Sequence, residues 1–186
     1  MAASKRPKAT GRSAQAGSSP PSGSTTPRLE TPAAPGEGVG DQLVDLAADL
    51  GMPLLPWQAH LALNAHKGSP GDWKHRVVGV TVARQNGKSA LLQLRIAAGL
   101  LLWDEKLIIA TAQSREVALE TFRGVVELLE GHPKYVAQIK SVIRSYGREE
   151  LVLRNGCRYR LVAPTSGGAR GFSAHLAIID ELREHK

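Results

Sequence analysis

An α/β sandwich around a mostly parallel sheet is the architecture this sequence predicts, and three observations predict it. Short apolar runs rich in β-branched residues, at 77–82, 106–111 and 176–180, alternate with longer segments of helical character. A chain of 186 residues is long enough to bury the core such a fold needs. One cysteine, Cys157, leaves no disulfide framework and no cysteine-held zinc to take the place of that core. In folds of this class ligands bind at the carboxyl ends of the strands, which directs attention to the residues just beyond them.

Residues 1–40 are mostly Ser, Gly, Pro, Ala and Thr, with Leu29 and Val39 their first sizeable aliphatic residues. Such a segment buries too little apolar surface to offset a backbone ordering cost of about 1–2 kcal/mol per residue, so a disordered basic tail is expected. Lys5, Arg6, Lys8, Arg12 and Arg28 against Glu30 and Glu37 suit either a solubilising extension or a tether for polyanions. Order is expected over 41–186. Asp41 suits the cap of a first helix, with Leu43, Leu46, Ala47 and Leu50 on one face and Gly51 at its end. Pro56 suits the first turn of a second helix reaching about His66. The turn-rich stretch 67–74 leads to Val77–Val82, whose β-branched residues predict a buried strand.

Ser89 to Trp103 is almost wholly apolar or long-chained and too long for a strand, which predicts a buried helix. Lys106 to Thr111 predicts the next strand, and Ser114 to Glu130 an amphipathic helix stopped by 131–133. Asn155 and Gly156, between Leu151–Leu153 and Arg158–Ala163, predict a tight hairpin. A loop is expected over 164–171, and Leu176–Asp180 is an apolar strand ending in a carboxylate. Trp73, Trp103 and Cys157 are read as packing residues, and the six histidines show no metal-ligand spacing.

Charge and composition narrow the classes of function. The longest apolar run, Ile96 to Trp103, is far short of the roughly 20 residues a bilayer demands, and no apolar stretch follows the basic N-terminus. No membrane association is expected, and the reducing cytoplasm suits a lone thiol. A net charge of +7 favours polyanionic partners.

The most informative window is 82–89, VARQNGKS, where a predicted strand runs into Gly87, Lys88 and Ser89 and then directly into a helix. A turn at a helix N-terminus presents unpaired N–H groups and the positive end of the helix dipole, and so holds phosphate. Lys88 is placed to reach the β and γ phosphates and the Ser89 hydroxyl to ligate Mg²⁺, while Gly87 lets the backbone approach where a Cβ would clash. The common G-x-x-x-x-G-K-[ST] spacing is broken, with Val82 at the first glycine position. On this window alone a plain strand-to-helix turn remains open. Asp180 and Glu181 end the last predicted strand, where Asp180 suits Mg²⁺ and Glu181 suits the orientation of an attacking water. The plainer alternative is a strand followed by a helix whose acidic N-terminal residues, Glu181 and Glu184, meet its dipole.

Together these residues resemble the N-terminal ATPase region of the large subunit of tailed-phage terminases, over about 50–186. Arg84, Gln85, Asn86, Gly87, Lys88 and Ser89 match the family's variant phosphate loop, in which Arg-Gln precedes Gly-Lys and the first glycine is often missing. Leu55, Pro56, Trp57 and Gln58 resemble its adenine-recognition segment, 109–113 (IATAQ) its coupling strand, and Gly168 to Gly171 the loop ahead of its acidic motif. The resemblance implies a P-loop NTPase of the additional-strand type, a three-layer sandwich incomplete at its C-terminus. It implies ATP and Mg²⁺ as cofactors, with Gln58 on the base edge and Trp57 packing nearby. Arg84 is either a γ-phosphate sensor or a structural ion-pair partner. Arg170 is an arginine finger toward a neighbouring subunit, a DNA contact or a solvated surface residue.

The implied activity is Mg·ATP hydrolysis coupled to translocation of double-stranded DNA into a procapsid in the host cytoplasm. The implied partners are a portal protein, a terminase small subunit and further copies of the chain in a ring. Lys134, Lys140, Arg144, Arg148, Arg154, Arg158, Arg160 and Arg170 against Glu149 and Glu150 suit sequence-indifferent phosphate contacts, or ordinary solvated hairpin faces. The chain stops soon after Glu181 and holds no acidic nuclease cluster, so no DNA cleavage is expected and hydrolysis by this piece alone is in doubt. The alternatives are a DExx helicase-like ATPase and a noncatalytic DNA-binding or assembly fragment.

Overall fold

The helical segments form where the apolar spacing puts them. In a computed structural model that describes residues 24–162 and 173–181, α1 (Gly40–Asp49) buries Leu43, Leu46 and Ala47, and α2 (Pro56–Ala65) opens on its proline. A two-rung hairpin, β1 (Gly68–Ser69) with β2 (Asp72–Trp73), occupies the turn-rich connector. Residues 82–87 lead into α3 (Lys88–Leu101), followed by β3 (Leu107–Ala112), α4 (Arg115–Glu130) and the single turn α5 (Pro133–Val136). Ser114 caps α4, its Oγ accepting the Val117 N–H at 3.3 Å. β4 (Ile139–Ile143), β5 (Glu150–Leu153), β6 (Arg158–Leu161) and β7 (Leu176–Asp180) complete the elements. The β5–β6 hairpin turns at Gly156, whose φ is +86°.

The large sheet runs β4-β5-β6-β3-β7. β3 is parallel to β6 and β7, but β4–β5 and β5–β6 are antiparallel, so the sheet is mixed where a mostly parallel one was expected. The reason is local. The Asn155–Gly156 turn forces antiparallel pairing, and β4, which the sequence reading missed, adds to the same meander. α3 and α4 pack on each other and on the face that carries Ile108, Ala110, Tyr159, Leu161, Leu151 and Ile178, with the Phe122 and Tyr159 rings 5.6 Å apart. On the other face Ala177 is exposed and Ile179 is 50% exposed, while Leu107 and Ile109 are buried.

One further expectation is corrected. Val77–Val82 forms no strand: Val77 is 89% and Val78 47% exposed. Its β-branched residues have the propensity, but no described strand pairs with the segment, and β-structure is decided by its neighbours. β7, the sheet's last strand, pairs only with β3 among the described residues. The Val39 N–H donates to the His66 carbonyl and the Gly68 N–H to the Glu37 carbonyl, both at 3.0 Å, and Glu30 meets His60 at 2.8 Å. Backbone groups at 37–39 thus find partners at the hairpin, which anchors a stretch whose composition alone forms no core. Residues 1–23 lie outside the described residues. No described helix is long and apolar enough to cross a membrane.

Behind α3, the His66, Trp73 and Trp103 rings cluster with centroids 4.8–5.5 Å apart. Burial, reinforced by the Arg95 guanidinium, brings the His66 imidazole down to about 4. The ring is therefore neutral in the fold and protonates more readily once the chain unfolds. Its contribution is complete above the unfolded value of 6.5 and is lost as pH falls toward 4, up to about 3 kcal/mol. Urea unfolding from pH 7 to 4 is expected to show this loss in the parent and a flatter profile in His66→Phe. Parallel profiles would refute it.

Candidate functional site

α3 begins at Lys88 because Gly87, at φ +80°, turns the chain into the helix. Gln85 also has a positive φ, +62°, and the Asn86 Nδ2 donates to the Ala83 carbonyl at 3.2 Å, closing the elbow on itself. A non-glycine residue in this region is uncommon, and such backbone is found where an arrangement is held for use. Ser89 and Arg84 are exposed, Lys88 and Trp57 are partly buried, and Gln58 is buried.

β7 delivers the acids. Its register sets Asp180 beside Ala112, so both strands end at the same edge of the sheet. Asp180 is 8% exposed and its Oδ1 lies 2.6 Å from the Lys88 Nζ. Glu181 places Oε1 3.9 Å from the same ammonium, and its N–H donates to the Asp180 Oδ1 at 2.9 Å. The φ of Glu181, +54°, turns the chain out of the strand at this residue. The two motifs that the sequence keeps far apart thus form one cluster: an anion-directed helix N-terminus, an ammonium, a buried carboxylate and a half-exposed one. Its donor set suits a phosphate, through backbone N–H groups and Lys88, and a hard cation, through carboxylate and hydroxyl oxygens.

Of the remaining expected residues, Gln58 turns its amide onto the Gly87 carbonyl at 2.8 Å, and Arg170 lies outside the described residues. Several of the basic residues after 133 are engaged within the chain. Lys134 pairs with Asp49 at 2.6 Å, Arg144 with Glu130 at 2.9 Å and Arg158 with Glu150 at 3.7 Å. The described part of that segment is therefore less bare a cationic stripe than its composition suggests. Burial pushes the Cys157 thiol up to about 11, which fits a packing residue and not a nucleophile. Sequence reasoning expected the elbow ahead of Ser89 and the acids at 180 and 181 within reach of one another, though not the direct Lys88–Asp180 contact, and it missed the Gln58–Gly87 contact, which has no local signature. Half of the latter was signalled: a glutamine at the third helical position reaches back to the cap backbone, as Gln58 does to the Leu55 N–H at 2.7 Å.

No protein-family model and no curated protein matches the chain. Among solved structures, the crystal structure of the HK97 bacteriophage large terminase matches with a TM-score of 0.58 at 18% sequence identity, covering 77% of this chain and 37% of that one. The chain spans just over a third of that protein's length. It has a terminase-like α/β fold.

Proposed function

We propose that this chain binds the triphosphate of Mg·ATP at the elbow ahead of α3, as part of the ATPase domain of a DNA-packaging motor. The observation that carries the reading is the 2.6 Å contact between Lys88 and Asp180, because a triphosphate site needs its cation and its carboxylate at one place. The fold likeness supports the same reading, and so does the variant loop Arg84 to Ser89. In this reading the sheet is of the additional-strand P-loop type.

The roles divide by chemistry. Lys88 exchanges its contact with Asp180 for the β and γ phosphate oxygens, and the N–H groups at the start of α3 hold the phosphates in line. Ser89 and Asp180 fit Mg²⁺, which favours a few oxygen ligands with water and phosphate completing its shell. When bound, the ion would neutralise charge on the phosphates. Glu181, half-exposed and turned out of β7, orients water for in-line attack, and Arg84 or Arg170 meets the charge that develops on the γ phosphoryl group. Trp57 precedes Gln58 on α2, and in this reading an adenine ring packs against it. Double-stranded DNA, a portal protein, a small terminase subunit and a ring of copies in the host cytoplasm are the partners and setting that go with this function.

Calorimetric titration of the chain with Mg·ATP tests the reading, with saturable 1:1 binding expected. Absence of binding at millimolar nucleotide would overturn it.

A further inference from the structure

The amide of Gln58 has both ends engaged by backbone. Its Oε1 accepts the Leu55 N–H at 2.7 Å, its Nε2 donates to the Gly87 carbonyl at 2.8 Å, and the residue is 3% exposed. The Gly87 carbonyl also accepts the Leu91 N–H, the first bond of α3, at 3.2 Å, so both of its lone pairs are in use. In a planar trans peptide the carbonyl and the following N–H point in opposite directions. Holding the Gly87 carbonyl toward Gln58 and Leu91 therefore aims the Lys88 N–H out of the helix N-terminus, where a phosphate oxygen binds. Gly87 is matched to this contact twice over: its φ is +80°, and a Cβ there would lie 2.9 Å from the Gln58 Nε2.

The geometry points to Gln58 as a positioning residue of the phosphate loop, one that orients the Gly87–Lys88 peptide and does not read the nucleotide base. This rests on the nucleotide-binding reading above and departs from the role that the family resemblance implies for Gln58. A base-reading glutamine needs an amide edge open to the ligand, and this one is buried against the loop.

The test compares the parent chain with Gln58→Ala and Gln58→Glu, using Mg·ATP and Mg·tripolyphosphate, which has no base. Gln58→Glu has nearly the shape of glutamine and keeps the acceptor for Leu55, but it sets an oxygen against the Gly87 carbonyl where a donor is needed. Both variants are expected to weaken both ligands by the same factor, about tenfold for one buried hydrogen bond. Without ligand, exchange of the Leu91 amide should accelerate while the amides of Leu94 to Leu100 keep the parent's rates. Weakened Mg·ATP with unchanged tripolyphosphate would overturn the inference in favour of base reading. Uniform acceleration along α3 would overturn it in favour of a purely structural role. A parent chain that binds neither ligand would remove the nucleotide reading, while the Leu91 exchange would still decide whether Gln58 positions the loop.

Discussion

Lys88→Met is expected to weaken Mg·ATP binding by at least about 100-fold while leaving the chain folded. The side chain replaces an ammonium that would make charge-assisted hydrogen bonds to two phosphates, each worth about 1.5–3 kcal/mol. The fold should tolerate the change because Lys88 is one-third exposed and Asp180 keeps the Glu181 N–H at 2.9 Å. Since Lys88 rests on Asp180, nucleotide has to compete with a carboxylate for the ammonium. Asp180→Asn removes that competitor together with the ligand proposed for Mg²⁺. It is therefore expected to strengthen binding of Mg²⁺-free ATP and to weaken binding of Mg·ATP, an inversion that general destabilisation does not produce. Calorimetry with and without Mg²⁺, beside melting curves, reads both effects. Equal Mg·ATP affinity in the parent and Lys88→Met would place any nucleotide elsewhere on the molecule.

How far the sequence went toward this site can be traced through particular residues. Ser89 to Trp103 was legible as a helix because its length and composition exclude a strand, and the structure starts it one residue earlier, at Lys88. Leu176 to Asp180 was legible to the residue, since an apolar run ending in two acids has few other forms. Val77 to Val82 was not, because strand formation is a property of pairs and the segment has no partner among the described residues. The antiparallel pairing of β5 with β6 followed from the turn at 155–156, but β4, which has no such turn signal, was missed, and with it the meander. Gln58 shows another limit. Its spacing from Leu55 is a local signal, but its bond to Gly87 spans 29 residues and depends on how α2 meets α3.

The stability of α3, and with it the elbow at its start, is expected to depend on a pair of charges at its far end. Glu105 is 3% exposed and holds Arg95 through two hydrogen bonds, Nη1 to Oε2 at 2.8 Å and Nη2 to Oε1 at 2.7 Å. The guanidinium lies 4.7 Å from the Trp103 ring centre and 5.8 Å from that of Trp73. Gly99 permits the approach, since a Cβ there would stand 2.1 Å from the Glu105 Oε2. Glu105→Ala leaves the Arg95 charge without its carboxylate in this enclosed site and is expected to cost about 3–5 kcal/mol. At about 2–4 °C per kcal/mol for a chain of this size, the loss is large in a melting experiment. The double variant Arg95→Met with Glu105→Leu is expected to regain most of it, because burying two apolar side chains avoids the desolvation of two charges. The comparison separates the requirement for packing at this site from the requirement for charge. A Glu105→Ala loss below about 1 kcal/mol would mean that water or another group neutralises Arg95, as for an exposed pair. A double variant no more stable than Glu105→Ala would mean that the ring cluster needs the guanidinium itself, through its contacts with Trp73 and Trp103.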